Sequence, residues 1–289
     1  MASPQHNPLS PRAAPRGIGS GHPTRLRPAP RHHGTVLLVR ESSPLRPALE
    51  VAVSHALVER VSDGALGPVL RVYRPAPTLA FGRLDALRPG FAAAAAAARA
   101  HGFEPVVRAP GGHAVAYHDG CLVVDEVVPH ADPLAGLQER FRSSAETLAE
   151  ALRQIGVDSR VGRVAGEFCP GEHTVNARGA VKLVGNAQRV VRHASLLAAS
   201  IAVTDAASLR AVLEDVYAAL ELEWDPETAG GVADETRASI EDVERAVIGA
   251  YARHTELVAA ELDGTTLSRA LELEPKHAVA ALELPSGRA

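Results

Sequence analysis

The chain has 289 residues, 46% of them hydrophobic, which allows one large domain with at most a small appendage. A net charge of −4 gives no basis for nucleic-acid binding, and no run of 18 or more apolar residues marks a membrane span. The only two cysteines, Cys121 and Cys169, form neither a metal-ligand spacing nor a disulfide framework, so a cytoplasmic, reducing location is expected.

Residues 1–34 are rich in Pro, Arg and His and hold no acid; the first is Glu41. Without an apolar stretch they do not read as a secretory signal and are expected to be disordered. A basic surface tether is the alternative. A strand is expected over 35–40, a helix over 47–63, and strands over 69–74 and 78–82 around a Pro-Ala-Pro turn. The alanine-rich segment 87–101 predicts a helix closed by Gly102. Strands follow at 104–108, 114–118 and 121–128, then a long helix over 132–155, entered through Asp-Pro and left at Gly156. Segments 159–165, 173–178, 180–191 and 194–203 predict a β meander, with turn chemistry in Asn176 to Gly179.

From Asp205 the pattern becomes helical, over 206–220 and 239–255, around a loop at 225–236. Ser239 and Asp242 have capping-box spacing. The expected organisation is a tail (1–34), a catalytic domain (35–260) and a C-terminal extension (261–289). The fold class is α+β, with a mainly antiparallel sheet packed by helices and a helical C-terminal segment.

Three motifs carry the chemistry. Arg108-Ala109-Pro110-Gly111-Gly112-His113 places a glycine pair between two strands. Phe168-Cys169-Pro170-Gly171 holds one of the two cysteines. Lys182-Leu183-Val184-Gly185-Asn186-Ala187-Gln188-Arg189 holds one of only two lysines, the other 28 basic residues being arginine. A lysine kept amid that bias suggests a need for a compact, mobile ammonium. A cysteine suggests a nucleophile, since thiolate attacks acyl carbon well. Paired glycines let backbone N–H groups approach a ligand.

In this order and spacing the motifs resemble the lipoate–protein ligase and octanoyltransferase family, over about residues 45–260. Its pattern is Arg-x-x-Gly-Gly followed by a Lys-φ-x-Gly-x-(Ala/Ser)-Gln-Arg segment, φ being apolar. Thr78-Leu79-Ala80-Phe81-Gly82-Arg83 also looks like a family segment. The resemblance implies the α+β catalytic domain of biotin and lipoate ligases. The Phe-Cys-Pro-Gly setting looks like the amidotransferases that move octanoyl from the glycine-cleavage H protein to other lipoyl domains. ATP-dependent ligases carry an Arg-Asn-Asp type segment there. His113 replaces their third glycine, Tyr117-His118-Asp119 sits one place late, and the helical region after 205 is unlike their β-containing accessory domain.

The implied chemistry is two-step acyl transfer, with Cys169 forming a thioester and an acceptor lysine attacking it, without metal or nucleotide. Lys182 would stabilise the developing oxyanion. Gly185, Asn186 and Ala187 would face the acyl carbonyl, Gly111 and Gly112 would flank the chain, and Arg108 would fix the loop or meet the carrier. Cys121 reads as a core residue. Among His113, His118, His173 and His193 no general base stands out, and His173 follows Cys169 most closely. The implied partners are octanoylated or lipoylated carriers: the H protein and the acyltransferase subunits of 2-oxoacid dehydrogenases, with acyl carrier protein as an alternative donor. The alternatives are an ATP-dependent ligase using Mg²⁺, or a non-catalytic binder of acyl carriers.

Overall fold

Residues 121–127 read Cys-Leu-Val-Val-Asp-Glu-Val, and a strand sends such neighbours to opposite faces. The computed structural model describes residues 34–132 and 134–279 and places this stretch in a central strand. The expected disordered tail (save Gly34), Pro133 and residues 280–289 of the expected extension lie outside the described residues.

The elements run β1 (Thr35–Glu41), α1 (Pro47–Ser62), β2 (Val69–Tyr73), β3 (Thr78–Phe81), α2 (Phe91–Ala100), β4 (Glu104–Val107), β5 (Val115–Tyr117) and β6 (Cys121–Pro129). They continue with α3 (Leu137–Gln154), β7 (Ser159–Val161), β8 (Val175–Ala177), β9 (Val181–Val190), β10 (Ala194–Ala202), α4 (Ala206–Ala219), α5 (Ile240–Ala252), β11 (Glu256–Ala260) and α6 (Gly264–Leu273). An eight-stranded sheet has the order β11-β1-β2-β6-β10-β9-β8-β7, and a three-stranded sheet the order β4-β3-β5. From β2 to β7 the large sheet is antiparallel, and its last four strands are the predicted meander. The β11-β1-β2 end is parallel.

The two faces of β6 separate the cores. Leu122 and Val124 join Leu148, Leu152, Val243 and Val247 under α3 and α5. Cys121 and Val123 join the small sheet with α2 and α4, and Val127 packs under α1 with Leu196 and Leu273. Cys121 is therefore a core residue, and burial pushes its thiol up to about 12.

Local signals placed most elements, and the shifted helix starts have local causes. Helix α2 starts at Phe91 rather than 87, after a 3₁₀ turn at Asp85–Leu87 and the Pro89-Gly90 break. Helix α3 starts at Leu137 rather than 132, because Gly136 takes a left-handed φ of 70° at the N-cap. Ser239 and Asp242 close the expected capping box. Strand β11 lies just beyond the helix expected over 239–255, in a region read as helical overall, and among the described residues it pairs with the distant β1 alone. Beyond residue 260 the chain folds back. Leu273 of α6 packs with α1, and His277 exchanges backbone and ring contacts with Val107.

On β2, fully buried Arg71 gathers three carboxylates. It pairs with Glu41 and Glu50, and its Nη1 lies 3.5 Å from Asp125. Ser54 Oγ donates to Asp125 at 2.5 Å, and the guanidinium lies 3.9 Å from the Tyr73 ring centroid. Burial outweighs the pull of Arg71 and raises the Glu50 carboxyl to about 7. Folded Glu50 thus holds a proton at pH values where the unfolded side chain has lost it. Its contribution is full below the ordinary carboxylate range and is lost as pH rises through about 7. Urea titrations of wild type and Glu50→Gln should show the wild type losing more stability between pH 5 and pH 8. Equal losses would mean that Glu50 is ionised throughout.

Candidate active site

The segment between β7 and β8 carries Cys169 with φ of 41°, left-handed and unusual for a residue with a side chain. Its neighbours hold it there. Lys182 Nζ, on β9, donates to the carbonyls of Phe168 (2.9 Å) and Cys169 (2.8 Å) and pairs with Glu167 Oε2 at 2.9 Å. An ammonium has three protons, and these are three acceptors. Glu167 also accepts from Thr174 Oγ1 at 2.7 Å, Val164 N at 3.2 Å and Gly171 N at 3.4 Å, gathering the whole loop. Both charges are buried, Lys182 and Glu167 each 3% exposed. Tyr217 Oη, from α4, accepts from Cys169 N at 2.9 Å and donates to Ala114 O at 3.0 Å.

That second bond ties the cysteine loop to the Gly-Gly loop. His113 N donates to Cys169 Sγ at 3.2 Å, and Arg108 Nη2 lies 3.8 Å from the sulfur while donating to His113 O at 3.0 Å. An N–H and a guanidinium facing sulfur suit a thiolate. Gly112 has φ of 93°, and a Cβ there would stand 2.8 Å from both Sγ and Arg108 Nη2. A Cβ on Gly82 would meet Gly112 O at 1.8 Å, so the two glycine backbones are in direct contact. Asp85 is fully buried; one oxygen accepts from Gly82 N at 3.0 Å and the other meets His113 Nδ1 at 2.8 Å.

A cavity of about 330 Å³ opens beside the sulfur, between the large sheet, the small sheet and α1. Cys169, Lys182, Arg108, Gly111, Gly112, Gly185, Asn186 and Ala187 all line it, so the fold unites three motifs that are separate in sequence. Further walls come from Val51, Val115, Val123 and Leu196, with Ser54 and Asp125 of the Arg71 network. Gly185 leaves 3.4 Å between a hypothetical Cβ and Lys182 Cε, and Asn186 Nδ2 donates to His173 O at 2.9 Å.

The histidines disperse. His173 lines the cavity, stacks on Phe141 and sets Nε2 3.1 Å from Gln138 Oε1. The His113 ring serves Asp85. His118 is buried, its Nδ1 accepting from Gly120 N at 2.8 Å. His193 is exposed on the β9–β10 turn. Sequence reasoning missed Glu167, Asp85 and Tyr217. Glu167 immediately precedes the Phe168-Cys169-Pro170-Gly171 motif, and that adjacency is the signal that could have found it. Asp85 and Tyr217 carry no local signal. No group of three or more metal-ligating side chains occurs among the described residues.

Two outcomes follow from this geometry. Glu167→Gln strands the Lys182 ammonium in the interior and should cost roughly 3–5 kcal/mol in denaturant unfolding, with Glu167→Gln/Lys182→Met recovering part of the loss. A double variant no more stable than the single one would mean the pair is not coupled. Gly112→Ala displaces the sulfur and should slow alkylation of Cys169 by iodoacetamide on the order of 100-fold, whereas an unchanged rate would show that the loop yields freely.

The sequence profile of the lipoyl protein ligase A/B catalytic domain matches residues 46–252. An octanoyl-GcvH:protein N-octanoyltransferase of Exiguobacterium sp. is 29% identical over 179 residues, 61% of this chain and 63% of the relative. The protein of that name from Kyrpidia tusciae is 31% identical over 151 residues, 52% of this chain and 51% of the relative. The chain thus spans about half to two thirds of the length of the curated relatives it matches. Among solved structures, lipoate-protein ligase A bound with ATP superposes with a TM-score of 0.65 at 23% identity, over 84% of this chain and 95% of that one. A bipartite lipoate protein ligase from Thermoplasma acidophilum, studied with its E2 lipoyl domain, gives 0.62 at 23% identity, over 84% and 92%. These likenesses establish a shared α+β fold, and the profile match over more than half of the chain shows that it belongs to the lipoyl protein ligase A/B catalytic domain family.

Proposed function

We propose that this chain is a protein N-octanoyltransferase, moving the octanoyl precursor of lipoate between carrier lysines through a thioester on Cys169. The observation that carries this reading is the placement of Cys169 Sγ: on the wall of the cavity, facing His113 N–H and near the Arg108 guanidinium. The curated relatives are named for transfer from octanoyl-GcvH, which supports the H protein as donor.

In the first step the Cys169 thiolate attacks the carbonyl of the octanoyl-lysine amide. The S–C bond forms, the C–N bond breaks, and the donor lysine leaves as an amine after taking a proton. In the second step the amine of an acceptor lysine attacks the thioester. The new amide forms, the thiolate departs, and the attacking nitrogen loses a proton. The thiolate leaves readily, so one difficult exchange becomes two easier ones. The acceptors in this reading are lipoyl domains of 2-oxoacid dehydrogenase acyltransferase subunits, and neither nucleotide nor metal takes part.

The residues divide the work. Arg108 and the His113 N–H face the sulfur and hold it against the cavity wall. Gly111 and Gly112 leave the approach to the thiol free of side chains, and a Cβ on Gly111 would meet nothing within 4 Å. Val51, Val115, Val123 and Leu196 offer apolar wall to the chain, each buried CH₂ contributing about 0.8 kcal/mol. Lys182 brings its charge to the cavity wall and, through the carbonyls of Phe168 and Cys169, fixes the nucleophile.

Intact-mass spectrometry after mixing the protein with octanoylated H protein, without ATP, tests the reading. The expected result is a hydroxylamine-labile octanoyl adduct that is absent from Cys169→Ala. An adduct formed only with octanoyl-acyl carrier protein would change the donor and keep the chemistry. No adduct from either donor, with ligation that requires ATP and survives Cys169→Ala, would replace it with ATP-dependent ligation.

A further inference from the structure

We infer that the turn over residues 83–88 is the docking face for the acyl-carrier domain, an acidic protein surface beside an acyl-bearing lysine. The inference rests on the carrier-to-carrier transfer proposed above, because only a protein-borne acyl group needs such a face.

Among the described residues the three most exposed large apolar side chains are Leu87 (80%), Leu84 (73%) and Leu134 (72%). The next are only 37–46% exposed and lie on β11 and α6. Leu84 precedes the 3₁₀ turn and Leu87 ends it, while Asp85 between them points inward with no exposure. The outward leucines and the inward aspartate are one arrangement: Asp85 grips Gly82 N and His113, and the turn it anchors presents both leucines to solvent. Leu134 stands on the segment leading into α3, whose Gln138 and Phe141 line the cavity.

The turn is close to the nucleophile. Gly82 packs on the Gly112 carbonyl, and Gly112 packs on Cys169 Sγ. A carrier feeding this thiol must bring its surface within one lysine arm of the sulfur. Residues 83–88 do not line the cavity itself, but the contacts from Gly82 to Gly112 and from Gly112 to the sulfur set their turn beside the cysteine, where a docked carrier can reach it. Charge agrees with an acidic partner. Arg83 is exposed, Arg88 is half-buried and donates to Leu220 O at 3.0 Å, and Asp85, the one acid in the turn, faces inward. Apolar knobs with arginine beside them fit an interface with an apolar centre and a charged rim. The arginine would speed encounter and add salt dependence.

The test measures binding of octanoylated H protein by titration calorimetry, and Cys169 acylation by octanoyl-N-acetylcysteamine, a small thioester that needs no docking. Leu84→Ser/Leu87→Ser should weaken carrier binding on the order of tenfold or more, with acylation by the small thioester unchanged. Arg83→Glu should weaken binding further at low salt than at high salt. Leu271→Ser, an exposed leucine on α6, should leave binding at the wild-type value. Wild-type affinity in the double variant, or no carrier binding by the wild type, would overturn the docking face. Failure of the small thioester to acylate wild-type Cys169 would instead strike the thioester chemistry, and the binding data would still decide the docking face.

Discussion

The arrangement around Cys169 depends on one buried ion pair. Glu167 and Lys182 lie on different segments, and both are removed from water. Such a pair is tolerated only when its remaining hydrogen-bonding capacity is filled. Here the carboxylate takes two amide protons and a hydroxyl from its own loop, while the ammonium takes the two carbonyls that bracket the cysteine. The loop is thereby fixed at both ends of the nucleophile, and a left-handed cysteine becomes affordable. A compact three-proton donor fits this job, and a planar guanidinium does not. In a chain that uses arginine almost everywhere else, that is a physical reason for lysine at this position.

The second constraint is the meeting of two backbone loops without side chains between them. Gly82 faces the carbonyl of Gly112, and Gly112 faces the sulfur. Asp85 fastens the first contact and Tyr217 the second. The cysteine is thus held from outside the large sheet that carries Lys182: the His113 N–H meets its sulfur, and the Tyr217 phenol of α4 meets its backbone N–H. In the proposed transfer this gives a nucleophile whose surroundings move little while two large carriers come and go.

Local chemistry announced much of the fold. The meander from β7 to β10, the box of Ser239 and Asp242 and the alanine-rich helix all follow from short-range pattern and emerge within a few residues of expectation. Helix starts were less legible. The N-termini of α2 and α3 depend on a 3₁₀ turn and a left-handed glycine, which hydrophobic spacing does not record. Strand β11 was not readable because its alternation is weak and its one partner among the described residues lies more than 200 residues away.

The sequence by itself marked the residues that gather at the candidate site. The glycine pair, the cysteine and the lysine segment were each marked by composition or spacing, and all eight predicted positions line one cavity. It also determined the α+β class, because strand alternation and helical periodicity are local properties of the chain. Only the tertiary structure decided what those residues touch. The three acceptors of Lys182, the hidden roles of Asp85 and Tyr217, and the buried carboxylates around Arg71 all arise from segments that are remote along the chain. Such contacts join groups whose individual signals are ordinary, an aspartate in a turn or a tyrosine in a helix. Their meaning comes from desolvation and geometry, which exist only once the layers have closed over them.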